Sequence, residues 1–360
     1  MNDNYYAVIM AGGGGTRLWP LSTKSRPKQL LSFEDNNSLF ALAVERLKGL
    51  FNQENIIVVT IAEQVPALRE QMPELSLNQF IIEPQPRGTA SVVGLAAISL
   101  LRKNSEAVMA VLTADHIIEN VSLFHSLLKS AFLLAEKNHL ITLGIKPTYP
   151  ATGYGYINTG NKLNLADAFI VERFEEKPDE KTASQYFQDG NFYWNSGMFI
   201  WRADRILKEF KRQMPDLYLR LNQISDLFEK ADFRDAFRHI WSSIKPETID
   251  FGIMENAEDV LMLKAEALGW NDVGCWDSLY DFLPANSTGN VIKNKNTVLI
   301  DSKDVLLFGE NDNKIIAALG VDDLVIIDTE KALLICKKGE TQRIKQVIEE
   351  IKNKHLDRFL

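Results

Sequence analysis

Along the first two-thirds of the chain, short apolar runs alternate with longer segments whose apolar residues recur every three to four positions. The runs are "YYAVIM", "NIIVVTI", "QFIIE", "AVMAVLT" and "LITLGI". Between them lie "SLFALAVERLKGLF", with Leu39, Leu42, Ala43, Leu47 and Leu50 at helical spacing, then "QVPALREQM", "TASVVGLAAISLLRK" and "SLFHSLLKSAFLLAEKN". Short apolar runs bounded by glycine or polar residues predict buried strands, and the 3.6-residue period predicts helices. Thr89 is expected to cap the helix it opens. Strand and helix in alternation predict a parallel sheet with helices on both faces and ligands at the carboxyl ends of its strands.

From about residue 150 to 285 the pattern is less regular and rich in aromatics, as in "ATGYGYI", "FYWNSGMFIWRA" and "GWNDVGCW", with helical spacing from Ile206 to Ile240. After "PANSTGN" it changes again. "TVLID", "DVLLFG", "KIIAALG", "LVIIDT" and "ALLICKK" are short β runs separated by Asn, Asp, Gly and Lys, which predicts a small β-solenoid or sandwich. The last segment is an amphipathic helix with Ile344, Val347, Ile348 and Ile351 on one face. The expected division is residues 1–285 and 286–360.

Composition narrows the function classes. A hydrophobic content of 46% supports a sizeable core, while the formal charge of −8 and the absence of long basic runs argue against nucleic acid or anionic membranes as partners. The two cysteines, Cys275 and Cys336, are in no metal-ligand spacing, and the start "MNDNYYAVIM" has no signal-peptide character. A reduced, cytoplasmic setting is the expectation.

An acidic protein that binds anions must gather its cations locally, which draws attention to "AGGGGTRLWPLSTKSRPKQL". Ala11 to Thr16 form a glycine-rich turn behind the first strand, and glycine lets backbone N–H groups approach an anion closely. Arg17 stands where a G-x-G-x-x-G fingerprint or a P-loop begun at Gly12 would need glycine. The stretch therefore reads as a different phosphate loop, carrying Arg17 and Lys28 toward its ligand. Asp115 ends a strand and has the character of an Mg²⁺ ligand, since that hard cation takes one or two carboxylates plus phosphates and water. A turn or cap role is its plainer alternative. Asp272 is a turn aspartate that can complete such a site. Lys177 gains interest if a second anionic substrate is bound, and Gly155 and Asn195 read as turn residues. No HExxH, CxxC or G-x-S-x-G pattern occurs.

Together these stretches resemble the sugar-1-phosphate nucleotidyltransferases, and within them the mannose-1-phosphate guanylyltransferases. The resemblance is carried by "GGGGTRLWPLSTKSRPKQ", "EPQPRGTA", "LTADHII", "TGYGYI", "FEEKP", "WNSGMF", "IDFGIME" and "NDVGCW", in the family's order. It implies a Rossmann-like mixed α/β sheet domain with a small β-rich, β-helix-like C-terminal domain. It implies that a sugar 1-phosphate oxygen attacks the α-phosphorus of GTP, giving GDP-mannose and pyrophosphate with Mg²⁺ on Asp115 and Asp272. The nucleotide would lie on Ala11, Gly12, Gly13, Gly14, Gly15 and Thr16, with Arg17 and Lys28 catalytic. Glu83, Gly88 and Thr89 would form the base pocket, the Glu83 carboxylate accepting from guanine N1–H and N2–H. Gly155, Glu176, Lys177 and Asn195 would hold mannose 1-phosphate. A homodimer through the β-rich tail and last helix is expected, as is transferase activity alone, because no cupin-like isomerase segment follows. Gly88 and Ser91 depart from the family's Asn and Pro, which keeps another nucleotide or hexose 1-phosphate open, and a non-catalytic sensor subunit is the alternative of another class.

Overall fold

The computed structural model describes residues 2–13, 15–33, 37–230 and 233–360. Two compact units emerge. One contains Met1–Gly12, Ala41–Ala114 and Ile118–Trp270; the other contains Gly13–Phe40, Asp115–Ile117 and Asn271–Leu360.

The first eleven strands in chain order are β1 (Tyr5–Met10), β2 (Ile56–Ile61), β3 (Phe80–Glu83), β4 (Val108–Thr113), β5 (Ile117–Ile118), β6 (Leu140–Ile145), β7 (Tyr156–Lys162), β8 (Phe169–Glu175), β9 (Phe192–Arg202), β10 (Val260–Lys264) and β11 (Trp270–Asn271). All but β5 and β11 join one sheet, ordered β3-β2-β1-β4-β9-β6-β10-β8-β7, with β9 also paired to β7. The β1, β2, β3 and β4 pairings are parallel, as is β6 with β10. An all-parallel sheet is corrected here: β9 enters antiparallel between β4 and β6, and β7 and β8 form an antiparallel pair at the edge. Apolar runs report burial, not strand direction, and β9 is buried along most of its length. Asn195, which reads as a turn residue in isolation, lies inside β9.

The helices are α1 (Leu39–Glu45), α2 (Val65–Gln71), α3 (Thr89–Lys103), α4 (Val121–Ala135), α5 (Glu180–Asp189), α6 (Ala203–Gln213), α7 (Pro215–Ser225), α8 (Phe233–Ser242), α9 (Ile249–Gly252), α10 (Trp276–Phe282) and α11 (Ile344–Asn353). Helix α1 is shorter than its periodicity suggests; the chain turns after Glu45 and Gly49 sits at φ +76°. Helix α3 is capped by Gly88, not Thr89, whose hydroxyl accepts instead from Ile249 N–H at 2.9 Å. Trp201, Phe199, Phe210 and Trp241 are fully or nearly fully buried in the core of this unit, together with the inward face of α3.

In the second unit, β12 (Val291–Lys293), β14 (Leu306–Gly309) and β16 (Leu324–Asp328) stack in parallel, as do β13 (Thr297–Ile300) and β15 (Ile316–Leu319). Parallel stacking of successive short strands is a solenoid and decides against a sandwich. Strand β17 (Leu333–Lys337) turns back antiparallel on β16. The core of this unit draws on both ends of the sequence: Leu18, Trp19, Leu31 and Phe33 pack with Trp276, Phe308, Ile344 and Ile348. Phe33 meets Trp276 edge-on at 6.4 Å. Val347 is exposed, so the inward face of α11 is narrower than predicted. Among the described residues no helix is long and apolar enough to cross a membrane.

Candidate active site

The glycine-rich turn leaves β1 through Ala11, whose N–H donates to Val59 O at 2.9 Å and whose carbonyl accepts from the Thr60 hydroxyl at 2.7 Å. Gly13 has open space where a side chain would stand, and Gly14 lies outside the described residues. Gly15 is the constrained position. It sits at φ +58°, and a Cβ there would lie 2.2 Å from Lys28 Cβ. Only glycine lets the Lys28 backbone pass this closely. Thr16 opens a single 3-10 turn, Thr16–Leu18, from which Arg17 projects as a half-buried residue.

Lys28 is 8% exposed, and its ammonium gathers two of the predicted acidic residues within the same unit. Nζ lies 2.8 Å from Asp115 Oδ2 and donates to the Asp272 carbonyl at 2.5 Å. Burial would push the Asp115 carboxyl up, but the Lys28 charge, with a smaller contribution from His116, outweighs it and holds the group below its ordinary value. Asp272 is braced by its own turn, its Oδ1 accepting from Gly274 N–H at 2.9 Å.

In the other unit, Glu83 closes β3 and is 2% exposed, so a solvated strand-end role is excluded. One carboxylate oxygen, Oε2, is buried with no hydrogen-bond partner, and Oε1 would lie 3.3 Å from a Cβ on Gly12. Burial pushes this carboxyl up to about 7, partly opposed by the Arg87 backbone N–H. A buried acceptor without a donor is expensive and marks a place where a ligand donor is wanted. Gly88 stands nearby in sequence at φ +82°, where a Cβ would lie 2.1 Å from Glu247 O. That contact excludes asparagine at this position in this chain. Ser91, the second departure from the family pattern, donates its hydroxyl to Gly88 O at 2.8 Å, so the two departures are physically coupled.

A third cluster, in the same unit as Glu83, joins Gly155, Glu176, Lys177 and Asn195. Asn195 N–H donates to Gly155 O at 2.8 Å, and a Cβ on Gly155 would lie 2.4 Å from Glu176 Oε2. Lys177 is ion-paired to Glu176 and holds φ +47°, a left-handed conformation that costs a lysine on the order of 1 kcal/mol. Tyr154 packs on Trp194 at 4.9 Å and on Trp270 at 5.5 Å.

Asp250, which sequence reasoning did not single out, belongs to this cluster. Its Oδ1 accepts from Asn195 Nδ2 at 2.8 Å, which fixes the orientation of that amide. Burial first, then the Glu176 charge, push its carboxyl up to about 6, with Asn195 and Lys177 opposing. Its only signal in the sequence is its place in "IDFGIME", which carries no chemistry by itself. A carboxyl raised in the folded state contributes stability at acid pH that is lost as pH rises through about 6. Asp250→Asn is therefore expected to raise the thermal midpoint at pH 8 and to lose that advantage by pH 4. An equal or lower midpoint for the variant at pH 8 would contradict the burial argument.

Residues 6–288 match the Nucleotidyl transferase family, and residues 295–351 match the MannoseP isomerase/GMP-like beta-helix domain. Mannose-1-phosphate guanylyltransferase 2 of Escherichia coli O157:H7 is 36% identical over 358 residues, covering 96% of this chain and 73% of that protein. The mannose-1-phosphate guanylyltransferase of Salmonella montevideo is 37% identical, covering 97% and 74%. The crystal structure of mannose-1-phosphate geranyltransferase from Thermus thermophilus superposes with a TM-score of 0.87 at 28% identity, covering 97% of this chain and 99% of that one.

Proposed function

Because the chain belongs to the nucleotidyl transferase family, among the mannose-1-phosphate guanylyltransferases, we propose that it forms GDP-mannose and pyrophosphate from GTP and α-D-mannose 1-phosphate. The observation that carries the reading is kinship across nearly the whole chain, joined to a full charged set: Arg17, Lys28, Asp115, Lys177 and Asp272. A sensor subunit that had given up catalysis would have no use for a buried Lys28 ammonium paired with Asp115.

In the reaction a phosphate oxygen of the sugar phosphate forms a bond to the α-phosphorus of GTP. The bond from that phosphorus to the bridging oxygen breaks, and pyrophosphate leaves with the electron pair. Nothing requires a covalent intermediate on the protein, so its work is positioning and charge compensation. The glycine-turn backbone, Ala11 to Thr16, cradles the triphosphate. Lys28, and Arg17 beside it on the loop, offset the charge that builds during transfer. Lys177 takes the sugar phosphate, and Glu176, Asn195 and the Gly155 backbone take sugar hydroxyls. Asp115 and Asp272 supply hard oxygen donors and would hold Mg²⁺. Two carboxylates suit a cation that completes its shell with substrate phosphates and water. When bound, Mg²⁺ neutralises phosphate oxygens and orients them for displacement. We place this chemistry in residues 1–285, with 286–360 as the β-helix region, and the enzyme in the cytoplasm. Incubation with GTP, mannose 1-phosphate and MgCl₂ tests the reading: GDP-mannose in the product supports it, and its absence from a folded sample rejects it.

Guanine selection is assigned to Glu83, with Gly88 and Thr89 beside it. Guanine presents N1–H and N2–H to an ionised carboxylate, while adenine presents an acceptor at N1. Glu83→Gln is expected to lower kcat/KM for GTP by about tenfold or more and to narrow the GTP/ATP ratio. Since only ionised Glu83 accepts both bonds, affinity for GTP should rise as pH passes through about 7, and the Gln variant should lose that rise. An unchanged GTP/ATP ratio would move guanine reading elsewhere.

A homodimer completes the proposal. Ile344 and Ile348 are spent on their own core, so the interface falls instead to the exposed Val298, Ile300 and Leu319 of β13 and β15. Light scattering at working concentration should give twice the chain mass; a strictly monomeric mass rejects it.

A further inference from the structure

Beyond Thr16 the loop is held by the other end of the sequence. Leu18 is fully buried, in one cluster with Ile344 and Ile348 of α11 and with Leu306 and Val325 of the solenoid. Trp19 is 7% exposed, and its indole Nε1 donates to Phe359 O at 2.8 Å. The Trp19 carbonyl accepts in turn from Trp276 Nε1 at 3.2 Å. Next to these anchors, Arg17 Nη1 donates to Gln342 Oε1 at 3.5 Å. All of these contacts lie within one compact unit. Arg17 thus projects from a turn whose following residues are pinned by residues 341–360, and a charged group must be held closely to act on a phosphate.

We propose that residues 341–360 are a positioning element for Arg17. The Trp19–Phe359 bond and the Leu18–α11 packing set the turn from which it projects, and Gln342 restrains its guanidinium. The proposal rests on Arg17 acting on the substrate phosphates, as read above.

A double-mutant cycle on the full chain tests it, with pyrophosphate release and trypsin cleavage after Arg17 as readouts. Trp19→Phe keeps an aromatic ring and removes the indole donor. It is expected to lower kcat about tenfold with an unchanged KM for the sugar phosphate, the scale of one lost buried hydrogen bond. On the Arg17→Ala background the same change should cost nothing further, because a positioning effect has then lost its target. Gln342→Ala should lower kcat about threefold, and Gln342→Glu, which keeps an acceptor, should restore it. Cleavage after Arg17 should be faster in Trp19→Phe than in wild type. Equal losses on both backgrounds would overturn the proposal, as would unchanged kcat together with unchanged cleavage. If Trp19→Phe does not fold, the Gln342 pair on the two backgrounds decides by the same criterion. Wild type without product would defeat the activity reading instead, and the cleavage comparison would still decide whether the segment restrains the loop.

Discussion

Asp115→Ala is expected to lower turnover with GTP and mannose 1-phosphate by about a thousandfold, equivalent to ~4 kcal/mol of transition-state stabilisation, while the fold persists. Two functions sit on this one carboxylate. In the proposed reaction it would be a hard oxygen donor for the cation, and in the structure it is the partner of the Lys28 ammonium at 2.8 Å. Asp272→Ala removes the second donor but not the backbone carbonyl that Lys28 also reaches, so its loss should be smaller, about a hundredfold. Pyrophosphate release across a Mg²⁺ titration measures both, with circular dichroism as the check on folding. The sign of the pH effect is defined. Asp115 is held below its ordinary value, so its ionised form adds stability at neutral pH that is lost on acidification. The stability gap between wild type and Asp115→Ala should therefore close as pH falls. Near wild-type turnover at low Mg²⁺ in either variant would remove that residue from the metal site.

Lys28→Ala is expected to lower kcat by about a hundredfold to a thousandfold, with a much smaller change in KM for mannose 1-phosphate. Lys28 is buried and aimed by the Gly15 crossing, so its charge acts in a partly desolvated setting, where it is worth more than in water. Negative charge on the departing pyrophosphate is greater in the transition state than in bound GTP, which is why the loss should fall on kcat. Arg17→Ala should follow the same pattern with a smaller loss, since Arg17 is less buried than Lys28. Steady-state kinetics with each substrate varied separates the two parameters. Equal kcat with only a raised sugar-phosphate KM would contradict the assignment of Lys28 to the triphosphate.

How far the sequence led depended on whether the cause was local. Buried strands such as "NIIVVTI" and "AVMAVLT" declare themselves, because apolar content over six residues is a local property. The glycine turn was equally legible as a turn, since the left-handed Gly15 and its close crossing by Lys28 constrain residue types within a short span. Strand direction was not: β9 reads as apolar whichever way it runs, so the mixed sheet followed from the resemblance and not from periodicity. The partnership of Leu18, Trp19, Leu31 and Phe33 with Trp276, Ile344 and Ile348 was invisible for a related reason. Contacts across most of the chain length leave no periodic trace at either end. Asp250 escaped because a single aspartate at a short helix has no spacing signature, and its meaning comes only from Asn195 and Glu176 around it. Thr89 misled for a definite reason. A threonine ahead of an apolar helix usually caps it, but Gly88 takes that place and the threonine hydroxyl is bound to Ile249.

Guanylyl transfer to mannose 1-phosphate is measured by initial-rate pyrophosphate release from the four pairings of GTP or ATP with mannose 1-phosphate or glucose 1-phosphate. The kcat/KM for GTP with mannose 1-phosphate is expected to exceed that of every other pairing by about tenfold or more. Comparable rates with ATP, a preference for glucose 1-phosphate, or no pyrophosphate from any pairing in a folded sample would contradict it.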